Sequence, residues 1–204
     1  MQPHALLLAA GSGSRFGSNK LLTLWRGRPL VSHPIAAIAA LRDQGVVAGA
    51  SAVVRAGDQP VMDLIRQAGL RVVVNARPDL GLAHSLQLGL GSLAALTPPP
   101  DGALIFLADQ PCAPCEAAEE VVRAWQLGGS AVVRPRYSGS SDEPGHPVLL
   151  DRDAWGLAER LTGDQGLGKA LSNAPELVVH VDVDGANPDV DTPADLPRLD
   201  QSHR

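Results

Sequence analysis

Apolar residues in this 204-residue chain recur in short runs, and the segments between the runs have helical spacing. This alternation is typical of an α/β fold, in which buried strands of a mostly parallel sheet alternate with amphipathic helices. The predicted strands are 6–10, 46–54, 72–74, 103–107, 131–133, 148–150 and 177–182. The predicted helices are 31–44, 58–68, 82–95, 114–126 and 151–161, and the segment 189–196 leads into a short C-terminal helix. We expect one domain over 1–204, with a three-layer, Rossmann-like sheet and helices on both faces.

One stretch rich in glycine, serine and proline, 134–147, has neither pattern and is predicted to be a loop. It is too short for a linker between domains, and its length favours a functional or mobile loop.

Composition excludes several kinds of partner. The formal net charge is −5, aromatic residues make up 3%, and no block of lysines or arginines occurs, so nucleic acid is not an expected ligand. No apolar run reaches the length of a membrane span. The chain has two cysteines and no basic segment before its first apolar run, so we expect a cytoplasmic protein.

The first apolar run leads directly into the segment "GSGSRFGSNK" at 11–20. Glycines allow a tight turn and a close approach to a ligand, and exposed N–H groups beside cations suit a phosphate. The spacing GxGxxxG is one residue too long for a dinucleotide fingerprint, and no carboxylate lies near position 31. A P-loop is also excluded, because Ser18 and Asn19 separate Gly17 from Lys20. A simple tight turn remains an alternative.

The run "LLLAAGSGSRFGSNK" resembles the LAAGxSxRxGxxK signature of the nucleotidyltransferase superfamily that includes the molybdenum cofactor cytidylyl- and guanylyltransferases. Further segments resemble that family's signatures in the same order: 75–90, 107–111, 145–150, 161–171 and 189–196. Three motifs are similar to those of the cytidylyltransferase branch: "LAAG" in place of "LAGG", "GHP" and "GDQG". The resemblance implies a sheet of the nucleotide-diphospho-sugar transferase type.

The same resemblance implies roles for individual residues. The nucleotide-binding residues would be Ala9, Ala10, Gly11, Ser12, Gly13, Ser14, Arg15, Gly17, Lys20, Asn75, Gly81 and Ser85. Arg15, Lys20 and Asp109 would be catalytic, with the two cations on the phosphates.

Asp109 and Asp191 would hold Mg²⁺, or Mn²⁺ in its place, because these cations prefer carboxylate oxygens. Asp109 follows a predicted strand, where open α/β sheets bind ligands, and its alternative role is a turn residue before Pro111. Asp191 has the alternative role of a helix cap.

A second substrate would contact Arg134, His146 and Asp164. For His146 the alternative is an exposed loop histidine, and for Asp164 it is a turn residue. Arg136 flanks the same loop as Arg134, and either arginine could meet a phosphate of this substrate.

The implied reaction is transfer of CMP from CTP to molybdenum-bound molybdopterin, with release of pyrophosphate. The implied partners are these two substrates and a molybdenum hydroxylase apoenzyme or its chaperone; nucleic acid and membranes are not expected. Alternatives are GTP as the nucleotide, another phosphorylated acceptor such as a sugar phosphate, or a non-catalytic carrier of the cofactor.

Cys112 and Cys115 form a CxxC pair just after Asp109. A zinc site would need a second pair of ligands, and a redox pair would open a helix of a thioredoxin-like fold. The sequence predicts neither, and the role of the pair stays open.

Overall fold

The computed structural model describes residues 1–11, 19–128, 130–139 and 145–199. The strands are β1 His4–Ala9, β2 Leu24–Trp25, β3 Arg28–Pro29, β4 Gly49–Arg55, β5 Arg71–Asn75, β6 Gly102–Leu107, β7 Val132–Tyr137, β8 Val148–Asp151 and β9 Val178–Val183. The α-helices are α1 Ser32–Asp43, α2 Gln59–Gln67, α3 Gly81–Ala94, α4 Cys115–Gln126, α5 Leu167–Ser172 and α6 Leu196–Leu199. The 3-10 segments are Lys20–Leu22, Pro78–Leu80, Arg152–Arg160, Pro175–Leu177 and Pro193–Asp195.

Within the described residues, the main sheet has seven strands in the order β5-β4-β1-β6-β8-β7-β9. β8 runs antiparallel to β6 and β7, and the other neighbouring strands are parallel. β1 lies between β4 and β6, so every residue of His4–Ala9 is buried. Strands covered on both faces are continuously apolar, which explains the run that the sequence shows there.

Two apolar clusters cover the two faces of this sheet. On one face, α1, α2 and α4 pack against alternate β1 residues such as Leu7 and Ala9. On the other face, α3, α5 and the 3-10 segment 152–160 pack against Leu6 and Leu8. The predicted three-layer α/β architecture with a mostly parallel sheet is therefore confirmed.

A third cluster joins two segments that are far apart in the sequence. Trp25 and Leu30, from the β2–β3 hairpin and its exit, pack with Cys112 and with Val190 and Leu199 near the C-terminus. This contact fixes the C-terminal segment beside the start of α4, close to the end of β6.

The structure corrects the prediction of a loop at 134–147. Residues 134–137 belong to β7, which pairs with β9 as far as Tyr137. Proline is tolerated at position 135 because β7 pairs with β8 only at Val132 and Val133, and sheet edges accept proline. The β2–β3 hairpin and α5 were not predicted, since both are too short to show a period.

Among the described residues, none of the helices has both the length and the apolar character that crossing a membrane requires.

Candidate nucleotide-binding site

A cleft opens where β1 and β6 end side by side in the sheet. The chain extends from β1 to β4 and β5 on one side and returns to β6 on the other, and open α/β sheets bind ligands at such a reversal of strand order. The backbone N–H of Ala108 donates to the carbonyl of Leu8 at 3.1 Å, which holds the two ends together. The cavity here has a volume of about 190 Å³. It is lined by Leu8, Ala9, Ala10, Gly11, Lys20, Leu21, Pro78, Gly81, Leu82, Ser85, Leu107, Ala108, Asp109 and Asp164.

The predicted residues Ala9, Ala10, Gly11 and Lys20 thus share one cavity with Asp109. The small side chains of Ala9, Ala10 and Gly11 leave main-chain groups within reach of a ligand, as a nucleotide base needs. Ser12, Gly13, Ser14, Arg15 and Gly17 lie outside the described residues.

Lys20 is the cationic residue among the described residues that line this cavity, and it lies between two carboxylates. Its Nζ is 2.8 Å from Asp109 Oδ2 and 3.5 Å from Asp191 Oδ1. The Lys20 and Asp109 side chains are mostly buried, whereas 59% of the Asp191 side chain is exposed. An ion pair at a cavity mouth can open when a stronger anion and a cation arrive together, which suits a phosphate–metal ligand.

Asn19 fixes the position of Lys20. Its Oδ1 accepts from the Leu21 N–H at 3.2 Å and caps the 3-10 turn Lys20–Leu22. Its Nδ2 donates to Oδ2 of the buried Asp58 at 2.8 Å, and Arg55 pairs with the same oxygen. The exit of the glycine-rich segment is therefore anchored to the end of β4.

The C-terminal segment completes the acidic side of the cavity mouth. The Val190 N–H donates to the Asp109 carbonyl at 3.0 Å, which brings Asp191 towards Lys20. The helix cap that follows is Thr192, in a reciprocal capping box with Asp195, so the Asp191 side chain is not the cap. The role of Asp191 as a second metal ligand stays a prediction.

Sequence reasoning missed Asp189 and Gln110. Gln110 Nε2 donates to Asp189 Oδ1 at 2.7 Å in a partly buried hydrogen bond. Burial, then the negative charge of Asp109, raises the pKa of Asp189; the Gln110 hydrogen bond opposes the shift. The repeated aspartate in "DVD" was the available signal, but only the fold shows which carboxylate faces Lys20.

The site fits a divalent cation. Asp109 and Asp191 approach the same ammonium group, and Mg²⁺ and Mn²⁺ are held in proteins by one or two carboxylates together with waters and phosphates. A complete cage of three or more histidine, cysteine or acidic side chains does not occur among the described residues. The arrangement therefore suits a cation that arrives with the ligand's phosphates.

The opposite wall of the cavity is formed by Gly81 and Ser85 at the start of α3. Asn75 is fully buried behind it: its Nδ2 donates to Ser85 Oγ at 3.0 Å, and its Oδ1 accepts from the Arg77 N–H at 2.8 Å. Asn75 does not line the cavity, so its predicted contribution to nucleotide binding would act through Ser85. Gly81 has φ 84° and ψ −171°, a conformation that is essentially restricted to glycine.

The predicted second-substrate residues separate into two places. Asp164 lines the cavity just described, beside Gly81. Arg134 lies on β7 and, with His180, lines another cavity of about 480 Å³. Arg136, two residues further on, lies 3.7 Å from Asp182.

His146 lies close to Arg134 and is held by its backbone. Its carbonyl accepts from Tyr137 OH at 2.6 Å and from Asn187 Nδ2 at 3.1 Å. Burial and the Arg134 charge lower the pKa of His146 to about 3, so the ring is neutral at physiological pH. Asn187 Nδ2 also donates to Gln110 Oε1 at 3.1 Å, so hydrogen bonds connect His146 to the residue after Asp109.

The CxxC pair has a packing role. Cys112 and Cys115 are not joined by a disulfide; Cys112 is buried in the third cluster and Cys115 starts α4. Burial raises the pKa of Cys115, which disfavours the reactive thiolate.

The strand order, the cleft and the lysine between two carboxylates define the class of nucleotide-binding α/β transferases. Residues 5–179 match the family model of the MobA-like NTP transferase domain, and the chain belongs to this family. The crystal structure of Rv0371c from Mycobacterium tuberculosis H37Rv superposes with a TM-score of 0.79 and 27% identity, covering 99% of this chain and 98% of that chain. A manganese complex of Rv0371c gives a TM-score of 0.77 and 26% identity, covering 99% and 100%.

Two curated relatives match shorter regions. Bifunctional protein GlmU of Rhizorhabdus wittichii is 35% identical over 121 residues, which is 58% of this chain and 25% of that protein. A probable molybdenum cofactor guanylyltransferase of Deinococcus radiodurans is 46% identical over 44 residues, 22% of this chain and 23% of that protein. Each match therefore spans about a quarter of the relative's length.

Proposed function

We propose that this chain is a cytidylyltransferase that joins CMP from CTP to the terminal phosphate of molybdenum-bound molybdopterin, with residues 1–204 as one transferase domain. The observation that carries the proposal is the ion pair of Lys20 with Asp109, at the mouth of a cavity walled by main-chain groups of Ala9, Ala10 and Gly11. In the reaction an acceptor phosphate oxygen forms a bond to the α-phosphorus of CTP. The bond from that phosphorus to the bridging oxygen breaks, and its electron pair leaves with pyrophosphate.

Lys20 has the central role in this proposal. Its ammonium group moves from Asp109 to the phosphates when the nucleotide binds, and Arg15 supplies the second cation. Asp109 and Asp191 would hold Mg²⁺ or Mn²⁺, and a cation bound there would neutralise charge on the triphosphate and on pyrophosphate. The manganese complex of Rv0371c supports a divalent cation in this fold.

Arg134 and His146 are proposed to contact the acceptor. Arg134 offers charge to a phosphate, whereas the low pKa of His146 means that its neutral ring can only exchange hydrogen bonds with the acceptor. Positioning and charge neutralisation are the main requirements of such a transfer, so no protein nucleophile is needed. The product would pass to a molybdenum hydroxylase apoenzyme or its chaperone.

GTP is the second candidate nucleotide. The Deinococcus radiodurans relative is named as a guanylyltransferase, although it matches only 44 residues. The "LAAG" sequence at the end of β1 favours CTP through its resemblance to the cytidylyl branch.

The test is pyrophosphate release with Mg²⁺, molybdenum-bound molybdopterin and either CTP or GTP, run in parallel. We expect release with CTP, and loss of at least about 1000-fold in Asp109→Asn, because a metal ion supplies several kcal/mol of charge stabilisation. Asp63→Asn is the matched control, since Asp63 is a half-exposed aspartate on α2 paired with Arg66. Pyrophosphate release with GTP alone would show that the enzyme transfers GMP instead of CMP. Nucleotide binding without release would favour a different acceptor or a carrier.

A further inference from the structure

A short turn between the 3-10 segment 152–160 and α5 is fixed against the start of α3. The Ala83 N–H donates to the Gly163 carbonyl at 3.0 Å. Within the turn, the Gln165 N–H donates to the Thr162 carbonyl at 3.2 Å, and the Thr162 N–H donates to Gln165 Oε1 at 3.1 Å. These hydrogen bonds therefore hold the turn in a defined position in the cavity wall.

The Asp164 carboxylate contacts Gly81 across this junction. A Cβ placed on Gly81 would lie 2.4 Å from the Gly163 carbonyl carbon and oxygen, and 2.8 Å from Asp164 Oδ1. Such an approach is possible only with glycine at position 81. It brings the carboxylate into the lining of the cavity that also contains Ala10 and Lys20.

Asp164 differs from the other polar side chains of that lining. Lys20 and Asp109 pair with each other, and Ser85 Oγ accepts from Asn75. The Asp164 carboxylate has no hydrogen-bond or ion-pair partner within the described residues. A carboxylate only accepts hydrogen bonds, so its oxygen lone pairs at this cavity suit the N–H or O–H donors of a ligand.

We infer that Asp164 is a specificity residue for the nucleoside, rather than a contact of the second substrate. This inference rests on the proposed function. A carboxylate repels phosphate, so it belongs at the end of the ligand away from Lys20, where a nucleoside offers two kinds of donor: ribose hydroxyls and the exocyclic amine of the base. Either group would donate a hydrogen bond from a neutral O–H or N–H to the charged carboxylate of Asp164.

The test measures equilibrium binding with Mg²⁺ to the full chain, for wild type, Asp164→Ala and Asp164→Asn. The probes are CTP, 2′-deoxy-CTP, 3′-deoxy-CTP and UTP, which lacks the exocyclic amine. We expect Asp164→Ala to bind CTP about tenfold more weakly than wild type, the cost of one hydrogen bond to a charged group. Asp164→Asn, which keeps the size and one acceptor oxygen, should lose less. Asp153→Ala, at an exposed aspartate of the neighbouring 3-10 segment, is the matched control and should bind as wild type does.

The remaining probes identify the donor. If a ribose hydroxyl is bound, wild type prefers CTP to one of the deoxy analogues about tenfold, and Asp164→Ala loses that preference. If the amine is bound, the preference for CTP over UTP disappears instead. Unchanged CTP affinity in both Asp164 variants would overturn the inference and leave the proposed function intact. A wild-type chain that binds none of these nucleotides would overturn the proposed function itself.

Discussion

The two proposed binding regions are built differently. The region proposed for the nucleotide, here called the nucleotide side, comprises Ala9–Gly11, Lys20, Gly81 and Asp109 and lies directly at the ends of buried strands and at the start of α3. The region proposed for the acceptor, here called the acceptor side, comprises Arg134, His146 and Asn187 and depends on side-chain hydrogen bonds between residues 41 to 77 positions apart.

This difference shows what each side requires from the chain. A strand end followed by small residues exposes its main-chain groups wherever the sheet forms, so the nucleotide side follows from local sequence. The acceptor side exists only when the C-terminal segment is in place. We therefore expect substitutions on the nucleotide side to affect CTP binding and turnover, and those on the acceptor side to affect the acceptor alone.

After Asp109→Asn, the largest effect is expected for Lys20→Met. It removes a cation from the phosphates and leaves Asp109 and Asp191 without their shared partner, so kcat should fall by about 100- to 1000-fold. Steady-state kinetics with CTP measures this. Lys169→Met, at an exposed lysine of α5, is the control and should keep the wild-type kcat. An equal fall of kcat in Lys169→Met would contradict a specific role of Lys20 in the reaction.

Gly81→Ala tests whether the close approach of the 162–166 turn is needed on the nucleotide side. The backbone conformation of Gly81 and the 2.4 Å approach to Gly163 should cost about 1–3 kcal/mol and weaken CTP binding by about 10- to 100-fold. Gly91→Ala, in the same helix with open space at the Cβ position, should instead stabilise the chain by up to about 1 kcal/mol. Thermal unfolding and CTP titration measure both variants, and equal behaviour of the two would contradict the prediction.

His4 separates overall stability from the cleft, because it lies at the opposite end of β1. Burial and the Arg71 charge lower its pKa to about 4 from 6.5, and its ring is within hydrogen-bond distance of Ser51 Oγ. Between pH 6.5 and 4, His4 is protonated in the unfolded chain but neutral in the folded chain. Its contribution to stability is therefore complete above pH 6.5 and is lost as pH falls towards 4. Between pH 7 and pH 5 the loss should be about 2 kcal/mol.

Chemical denaturation across this pH range checks the His4 prediction. His4→Gln keeps a hydrogen-bonding side chain but does not titrate, so its stability should depend less on pH than that of wild type. A variant with the wild-type slope would show that other groups cause the acid sensitivity.

The smallest effect is expected for Asn187→Ala, on the acceptor side. It removes the donor shared by the His146 carbonyl and Gln110 Oε1. The acceptor KM should rise about tenfold, and the CTP KM should stay within about twofold. Equal increases in both KM values would show that the two sides are not independent.

Most strands and the helices α1 to α4 could be predicted because their apolar periods are long and continuous, whereas the predicted helix 151–161 is the 3-10 segment Arg152–Arg160. The run before Gly11 predicted β1, and the segment 114–126 predicted α4 within one residue. The end of β7 could not be predicted, since Arg134 to Tyr137 is extended only through its pairing with β9. For the same reason Gln110 and Asp189 were missed, as neither shows its partner in the sequence.

The sequence by itself determined the α/β architecture and predicted a phosphate-binding segment after β1, because burial period and glycine spacing are local properties of the chain. Tertiary structure decided which carboxylates meet Lys20, that Asp164 lines the same cavity as Lys20, and that Asn187 holds the His146 backbone. Those contacts join residues that are distant in the chain, and only packing of the C-terminal segment and of the 162–166 turn onto the sheet brings their atoms within hydrogen-bond range.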